Sequence, residues 1–208
     1  MKTDIRETGP MPVNTYILKD DESKEAVVID VGGDFENIKQ EIEAQGYTLK
    51  YILNTHGHFD HVLGEPYIQA KYPNLPIYMS KDDLGHILQL KEETKYFGIT
   101  ADTLPLKLEY FIDENSLLFI GKHKIQVLQT PGHSKGGLSF YVDGKLFSGD
   151  SLFYRSIGRT DFYDGDFDVL INSIKTKLFT LPDDTVVFPG HGPSTTIKEE
   201  KQYNTYLT

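Results

Sequence analysis

A chain of 208 residues, 38% of them hydrophobic and 25% charged, carries enough apolar surface to bury its own core and lies outside the compositions of disordered and fibrous proteins. Its 31 acidic against 21 basic residues give a formal charge of -10, and with no basic run this excludes an extended phosphate-binding or anionic-membrane surface. Cysteine is absent, so disulfides, thiolate ligands and a cysteine nucleophile are excluded, and any metal chemistry must use His, Asp and Glu.

In chain order, Met1 to Asp4 lead into no apolar leader, and no stretch approaches the roughly eighteen apolar residues of a membrane span. A cytoplasmic protein of one domain, residues 1–208, is expected, with no Gly/Pro/Ser linker to mark a boundary. Thr15 to Lys19 and Ala26 to Asp30 read as a β-hairpin. Phe35, Ile38 and Ile42 recur at helical spacing before Gly46, which predicts a helix over 35–45. Tyr51 to Leu53 then form a strand running into Thr55 and His56.

Lys81 to Tyr96 reads as an inserted helix and Leu106 to Thr130 as meandering strands. After these the first half is echoed. Strands at Leu138 to Val142 and Leu146 to Ser148 flank a turn at Asp143 and Gly144, and Gly149 and Asp150 follow. A helix near Phe167 to Phe179 comes next, and a strand Val186 to Phe188 runs into Pro189, Gly190 and His191. Each half thus delivers an Asp from a hairpin and a His from a later strand. Twin halves of this kind pack sheet against sheet with helices outside, so their strand ends meet along one edge.

The chemistry concentrates in His56-Gly57-His58-Phe59-Asp60-His61, directly after a strand. Residues two apart do not share a helix face, but in extended chain they point the same way, so His56 and His58 can converge on one ion while Asp60 and His61 reach a neighbour. His133, Asp150 and His191 each stand at an element end beside a glycine. Taken singly they read as turn residues; together with the cluster they bring five His and two Asp. One tetrahedral structural site needs four ligands, so seven candidates imply two ions with a carboxylate between them. Imidazole and carboxylate without thiolate suit zinc, with iron or manganese as alternatives. His86 and His123 read as surface or packing residues. Asp30 reads as a carboxylate behind the ligands or as a turn cap.

Over essentially its whole length the chain resembles the metallo-β-lactamase fold superfamily, and within it the compact glyoxalase II-like hydrolases. The resemblance is carried by Thr55 to His61, His133, Asp150, the run Ser156 to Phe162, and Pro189 to Thr196. It implies an α/β fold, a four-layer αββα sandwich. It also implies one metal on His56, His58 and His133, a second on Asp60, His61 and His191, and Asp150 bridging. The implied activity is metal-dependent hydrolysis of a thioester such as S-D-lactoylglutathione. Full-length glyoxalase II proteins add a C-terminal helical domain and have Lys where this chain has Arg159. The run Gly158 to Phe162 is also similar to persulfide dioxygenases, which would use a single iron on His56, His133 and Asp150, and a lactonase or other esterase is chemically close. Lactamases with a bridging Cys are excluded.

Two divalent ions offset by two aspartates and a hydroxide leave about +1 by formal counting, which suits a small anionic thioester, including a glutathione-derived one, rather than nucleic acid or membrane. Asp60 would orient or deprotonate the attacking water. Arg159 is expected to bind a substrate carboxylate or to pair with Asp161 or Asp164. Tyr154, Arg155 and Tyr163 are further pocket candidates.

Overall fold

The computed structural model describes residues 1–99 and 110–208. Strands β1 (Lys2–Thr8), β2 (Val13–Asp20) and β3 (Glu25–Ile29) form an antiparallel meander, and helix α1 (Phe35–Ala44) crosses over to β4 (Thr48–Leu53), parallel to β3. Helices α2 (Phe59–Val62) and α3 (Glu65–Lys71) precede β5 (Ile77–Met79); a single 3-10 turn, Lys81–Asp83, opens α4 (Leu84–Tyr96), and β6 (Tyr110–Phe111) completes a sheet ordered β1-β2-β3-β4-β5-β6. The second half has β7 (Leu118–Ile120), β8 (His123–Gln129), β9 (Leu138–Val142), β10 (Lys145–Gly149) and a small hairpin of β11 (Leu152–Phe153) and β12 (Ser156–Ile157). Helix α5 (Phe167–Ser173), prolonged by a π-helical turn, Ile174–Leu178, leads to β13 (Val186–Pro189), β14 (Thr195–Thr196) and α6 (Ile197–Tyr203). This sheet is ordered β14-β13-β10-β9-β8-β7.

The four-layer arrangement follows from side-chain alternation. On β2 to β4, Tyr16, Leu18, Val27, Ile29, Tyr51 and Leu53 meet Ile125, Val127, Phe140 and Phe147 of the other sheet in one core. Their neighbours Ile17, Val28 and Ile52 face outward onto Phe35, Ile38 and Ile42 of α1 and Ile68 of α3. Leu128, Leu146 and Val187 likewise meet Leu170, Ile174 and Ile197 on the far side. Strands buried on both faces read as continuous apolar runs, and each fully buried Leu, Ile or Phe contributes about 1.5–3 kcal/mol.

The helix ends are locally encoded. Gly46, at φ +80, lets Tyr47 N–H donate to Ile42 O at 3.1 Å and its own N–H to Glu43 O at 2.9 Å, a left-handed stop that relieves two orphan carbonyls. Asp166 caps α5 by accepting from Val169 N–H at 3.0 Å, and Thr196 caps α6 by accepting from Glu199 N–H at 3.2 Å. Among the described residues no helix is long and apolar enough to cross a membrane.

The hairpin-helix-strand echo is real in the topology: β2-β3-α1-β4 and β9-β10-α5-β13 each pair an antiparallel hairpin with a parallel strand. Several elements escape the sequence pattern. β1 is a charged edge strand with exposed Ile5, α2 has four residues, α3 buries only Glu65, Pro66 and Ile68, and β5, β11, β12 and β14 have two or three residues each. Of the meander expected over 106–130, residues 106–109 lie outside the described residues.

Candidate metal centre

The C-terminal ends of β3, β4, β8, β10 and β13 meet at one edge, and there stand Asp30, His56 to His61, His133, Asp150 and His191. Main-chain bonds close the two sheets on each other at this edge: Asn14 N–H donates to Gly190 O and Leu138 N–H to Thr55 O, each at 2.7 Å. Tyr16 hydroxyl donates to Pro189 O at 2.5 Å.

All seven expected ligand residues are brought together. The donor atoms of His56, His58 and His133 lie within 4.8 Å of one another, as do those of Asp60, His61 and His191 and those of His56, His61 and Asp150. Asp150 faces both groups, with Oδ1 3.4 Å from His61 Nε2 and Oδ2 3.5 Å from His133 Nε2 and 3.7 Å from His191 Nε2. Asp60 Oδ2 is 3.2 Å from His191 Nε2. Only glycine fits at 190, where a Cβ would stand 2.2 Å from Asp150 Oδ1.

The donor set fits divalent cations. His58 Nδ1 and His133 Nε2 stand 2.9 Å apart, and His61 Nε2 and His191 Nε2 3.3 Å apart, while His56 Nε2 and Asp150 Oδ1 are buried with no hydrogen bond of usable geometry. Converging lone pairs and orphaned buried acceptors are satisfied by a cation.

The outer ring nitrogens are already committed, which assigns the tautomers from the network. His61 Nδ1–H donates to Asp30 Oδ2 at 2.9 Å, His133 Nδ1–H to Arg159 O at 2.7 Å and His191 Nδ1–H to Pro12 O at 2.6 Å. Their Nε2 lone pairs therefore face inward. Asp30 also accepts from Thr55 N–H and Thr55 Oγ1–H, both at 2.8 Å, and these bonds hold it at a left-handed φ of 55°. Of the two readings of Asp30, the structure places the carboxylate behind His61.

Electrostatics prepares the same donors. Burial, with neighbouring imidazoles, pushes His56 well below its ordinary value and His58 to about 2, so both stay neutral. Burial alone would raise the Asp150 carboxyl, but His61, His133 and His191 hold it below the usual carboxylate range.

Two residues of the segment 81–96 do work at the site that spacing did not reveal. Buried Asp83 accepts from Gly57 N–H at 2.9 Å, Ser134 Oγ–H at 2.8 Å and Gly136 N–H at 2.5 Å, tying the loop of His56 and His58 to that of His133. Of the two expected readings, surface or packing, His86 takes the second. It is buried, its ring centroid lies 4.6 Å from that of His58, and its two nitrogens meet Glu93 at 3.3 Å and Asp164 at 3.0 Å. No signal short of the tertiary contact identifies either. His123 packs away from the centre, 2.6 Å from Asp143.

A cleft of about 750 Å³ opens over the centre, lined in part by Arg159 and Tyr163. Arg159 makes a bidentate pair with Asp161, both bonds at 2.7 Å, and both side chains are exposed. Tyr154 and Arg155 are not among the cleft residues. Tyr154 is half exposed beneath the Arg155 guanidinium, which pairs with Glu199 at 2.6 Å. At this hairpin Phe153, Ser156 and Ile157 line the cleft.

A family model described as the metallo-beta-lactamase superfamily matches residues 8–191. The chain is 38% identical over 197 residues to the hydroxyacylglutathione hydrolase GloC of Haemophilus influenzae, across 93% of this chain and 92% of that one. Its fold superposes on the BLEG-1 B3 metallo-beta-lactamase crystal structure with a TM-score of 0.89 and 36% identity over 100% of both chains. It superposes on TTHA1623, crystallised in a di-iron-bound form, with a TM-score of 0.86 and 34% identity over 98% of this chain and 100% of that one. With two layered sheets, a histidine and aspartate edge and this match across most of its length, the chain belongs to the metallo-beta-lactamase superfamily.

Proposed function

We propose that the protein is a metal-dependent hydrolase of thioesters such as S-D-lactoylglutathione. In this reading His56, His58 and His133 hold one divalent ion, Asp60, His61 and His191 a second, and Asp150 lies between them. The observation that carries it is the reach of the Asp150 carboxylate, 3.4 Å from His61 on one side and 3.5 Å from His133 on the other. The name of the Haemophilus relative supports the thioester class. Zinc is the expected ion, and the di-iron-bound relative makes iron the alternative to test.

Bound divalent ions would lower the pKa of water to about 7 and polarise a carbonyl oxygen, which supplies a nucleophile without Ser or Cys. The chain's own residues supply the rest. Asp60, at the cleft and next to His61 in the chain, orients the attacking water or takes its proton. A thiolate leaves readily and needs no strong general acid. Asp30, the Arg159 carbonyl and the Pro12 carbonyl hold three imidazoles in the tautomer that faces inward.

The test is turnover of S-D-lactoylglutathione by metal-analysed protein, with oxygen uptake on glutathione persulfide measured on the same preparation. Hydrolysis that tracks about two bound ions per chain is the expected result. Oxygen uptake with one iron and no hydrolysis would replace the reading by a persulfide dioxygenase using His56, His133 and Asp150. Inactivity in both would direct attention to lactones and other esters.

A further inference from the structure

Resting on the hydrolase reading above, we infer that the cleft is built for an ester or thioester bearing an aromatic or similarly bulky apolar group beside its carbonyl. Phe59 and Phe97 stack at 4.7 Å with an interplanar angle of 27°, and Tyr96 meets the edge of Phe97 at 5.3 Å. Beside the histidines, Phe162 lies 4.6 Å from the His58 ring and 5.6 Å from that of His133, while Phe153 lies 6.5 Å from His191. All five rings line the same cleft as Asp60 and Asp150. A group attached to a carbonyl at the centre therefore meets aromatic surface.

Two of these rings are held out at the cleft. Tyr96 is 86% and Phe97 50% exposed, at the C-terminal end of α4. Apolar surface of this size next to a reactive centre marks a ligand wall.

Charge points the same way. Apart from the histidines, the only cation among the described lining residues is Arg159, whose guanidinium pairs with the exposed Asp161 and lies over the Phe162 ring at 4.5 Å. The other charged lining groups outside the seven site residues are Glu92 and Glu93, the second bonded to His86. The walls around the rings thus carry few charged groups, which suits an apolar substituent.

The experiment is calorimetric titration of the metal-loaded protein with 4-phenylbutyrate and with butyrate. Both acids offer one carboxylate, so their ratio reads the aromatic walls. Phenylbutyrate is expected to bind about tenfold tighter or more, and the ratio is expected to fall to within about threefold in the Tyr96→Ala and Phe97→Ala double variant. Tyr96→Ala alone, at a residue this exposed, guards against a folding defect and should shrink the ratio in part. Equal affinities in the wild type, or an unchanged ratio in both variants, would overturn the assignment. Hydrolysis of phenylacetyl and lactoyl thioesters on the same preparation separates the two claims. A binding preference without turnover of either thioester removes the hydrolase reading and keeps the apolar cleft; turnover of S-D-lactoylglutathione without a binding preference does the reverse.

Discussion

Replacing Glu65 by Gln should make the protein more stable at neutral pH. Glu65 is fully buried behind the centre, where Asn54 Nδ2–H donates to its Oε1, and Asn54 Oδ1 and Glu65 Oε2 are left facing no partner. A proton on Oε2 gives this acid-amide pair its second donor. Burial accordingly pushes the carboxyl up to about 8 from an ordinary 4.5, against the lowering effect of the Asn54 bond. Because the folded value is the higher one, the folded protein keeps a proton that the unfolded chain releases. The favourable contribution is complete below pH 4.5 and drains away as pH rises toward 8. Between pH 5 and pH 7 the wild type should lose about 2.5 kcal/mol that the Gln variant does not. Glutamine carries the second donor permanently and is nearly isosteric. Urea unfolding of the metal-free proteins at pH 5, 6 and 7 measures the difference, since groups common to both chains cancel. At 208 residues, 2.5 kcal/mol corresponds to about 5–10 °C in Tm. A wild type minus variant difference that stays constant across this range, or a variant that is less stable at pH 7, would show that Glu65 is ionised and the account wrong.

Two further substitutions probe the shell around the centre. Asp30→Asn keeps a residue that tolerates the left-handed backbone, but Oδ2 accepts from His61 and the Thr55 hydroxyl while Oδ1 accepts from Thr55 N–H, so the amide NH2 must face one of these donors. Metal affinity, measured by chelator competition, should fall about 10–100-fold with far-UV dichroism unchanged, and unchanged affinity would leave Asp30 a purely structural cap. Asp83→Ala strips three donors of their acceptor. It should cost about 3 kcal/mol, seen as a Tm lower by about 6–12 °C, together with weaker metal retention. A loss of stability without any change in metal retention would mean that the two loops hold their geometry independently.

Much of the centre is readable before any fold is known because ligand chemistry is local and dense. Three histidines and an aspartate within 56–61 announce themselves by spacing, and the glycines beside His133, Asp150 and His191 mark sharp turns where only a small residue fits. Hairpin patterning and the Gly46 stop likewise place the strands and α1 well, since alternation and capping act over a few residues. What the chain alone could not supply is which distant groups finish each site. Asp30, 31 positions before His61, orients that ring, and Asp83 holds Gly57 and Gly136 from opposite directions. His86 had no reason to differ from a surface histidine until α4 packed it beside His58 and between Glu93 and Asp164. Tyr154 and Phe153 are neighbours in sequence, yet Phe153 lines the cleft and Tyr154 does not. Short-range spacing determines which residues can bind or turn; which of them meet, and with what electrostatic consequence, is decided by long-range packing of two sheets whose strand ends converge on one edge.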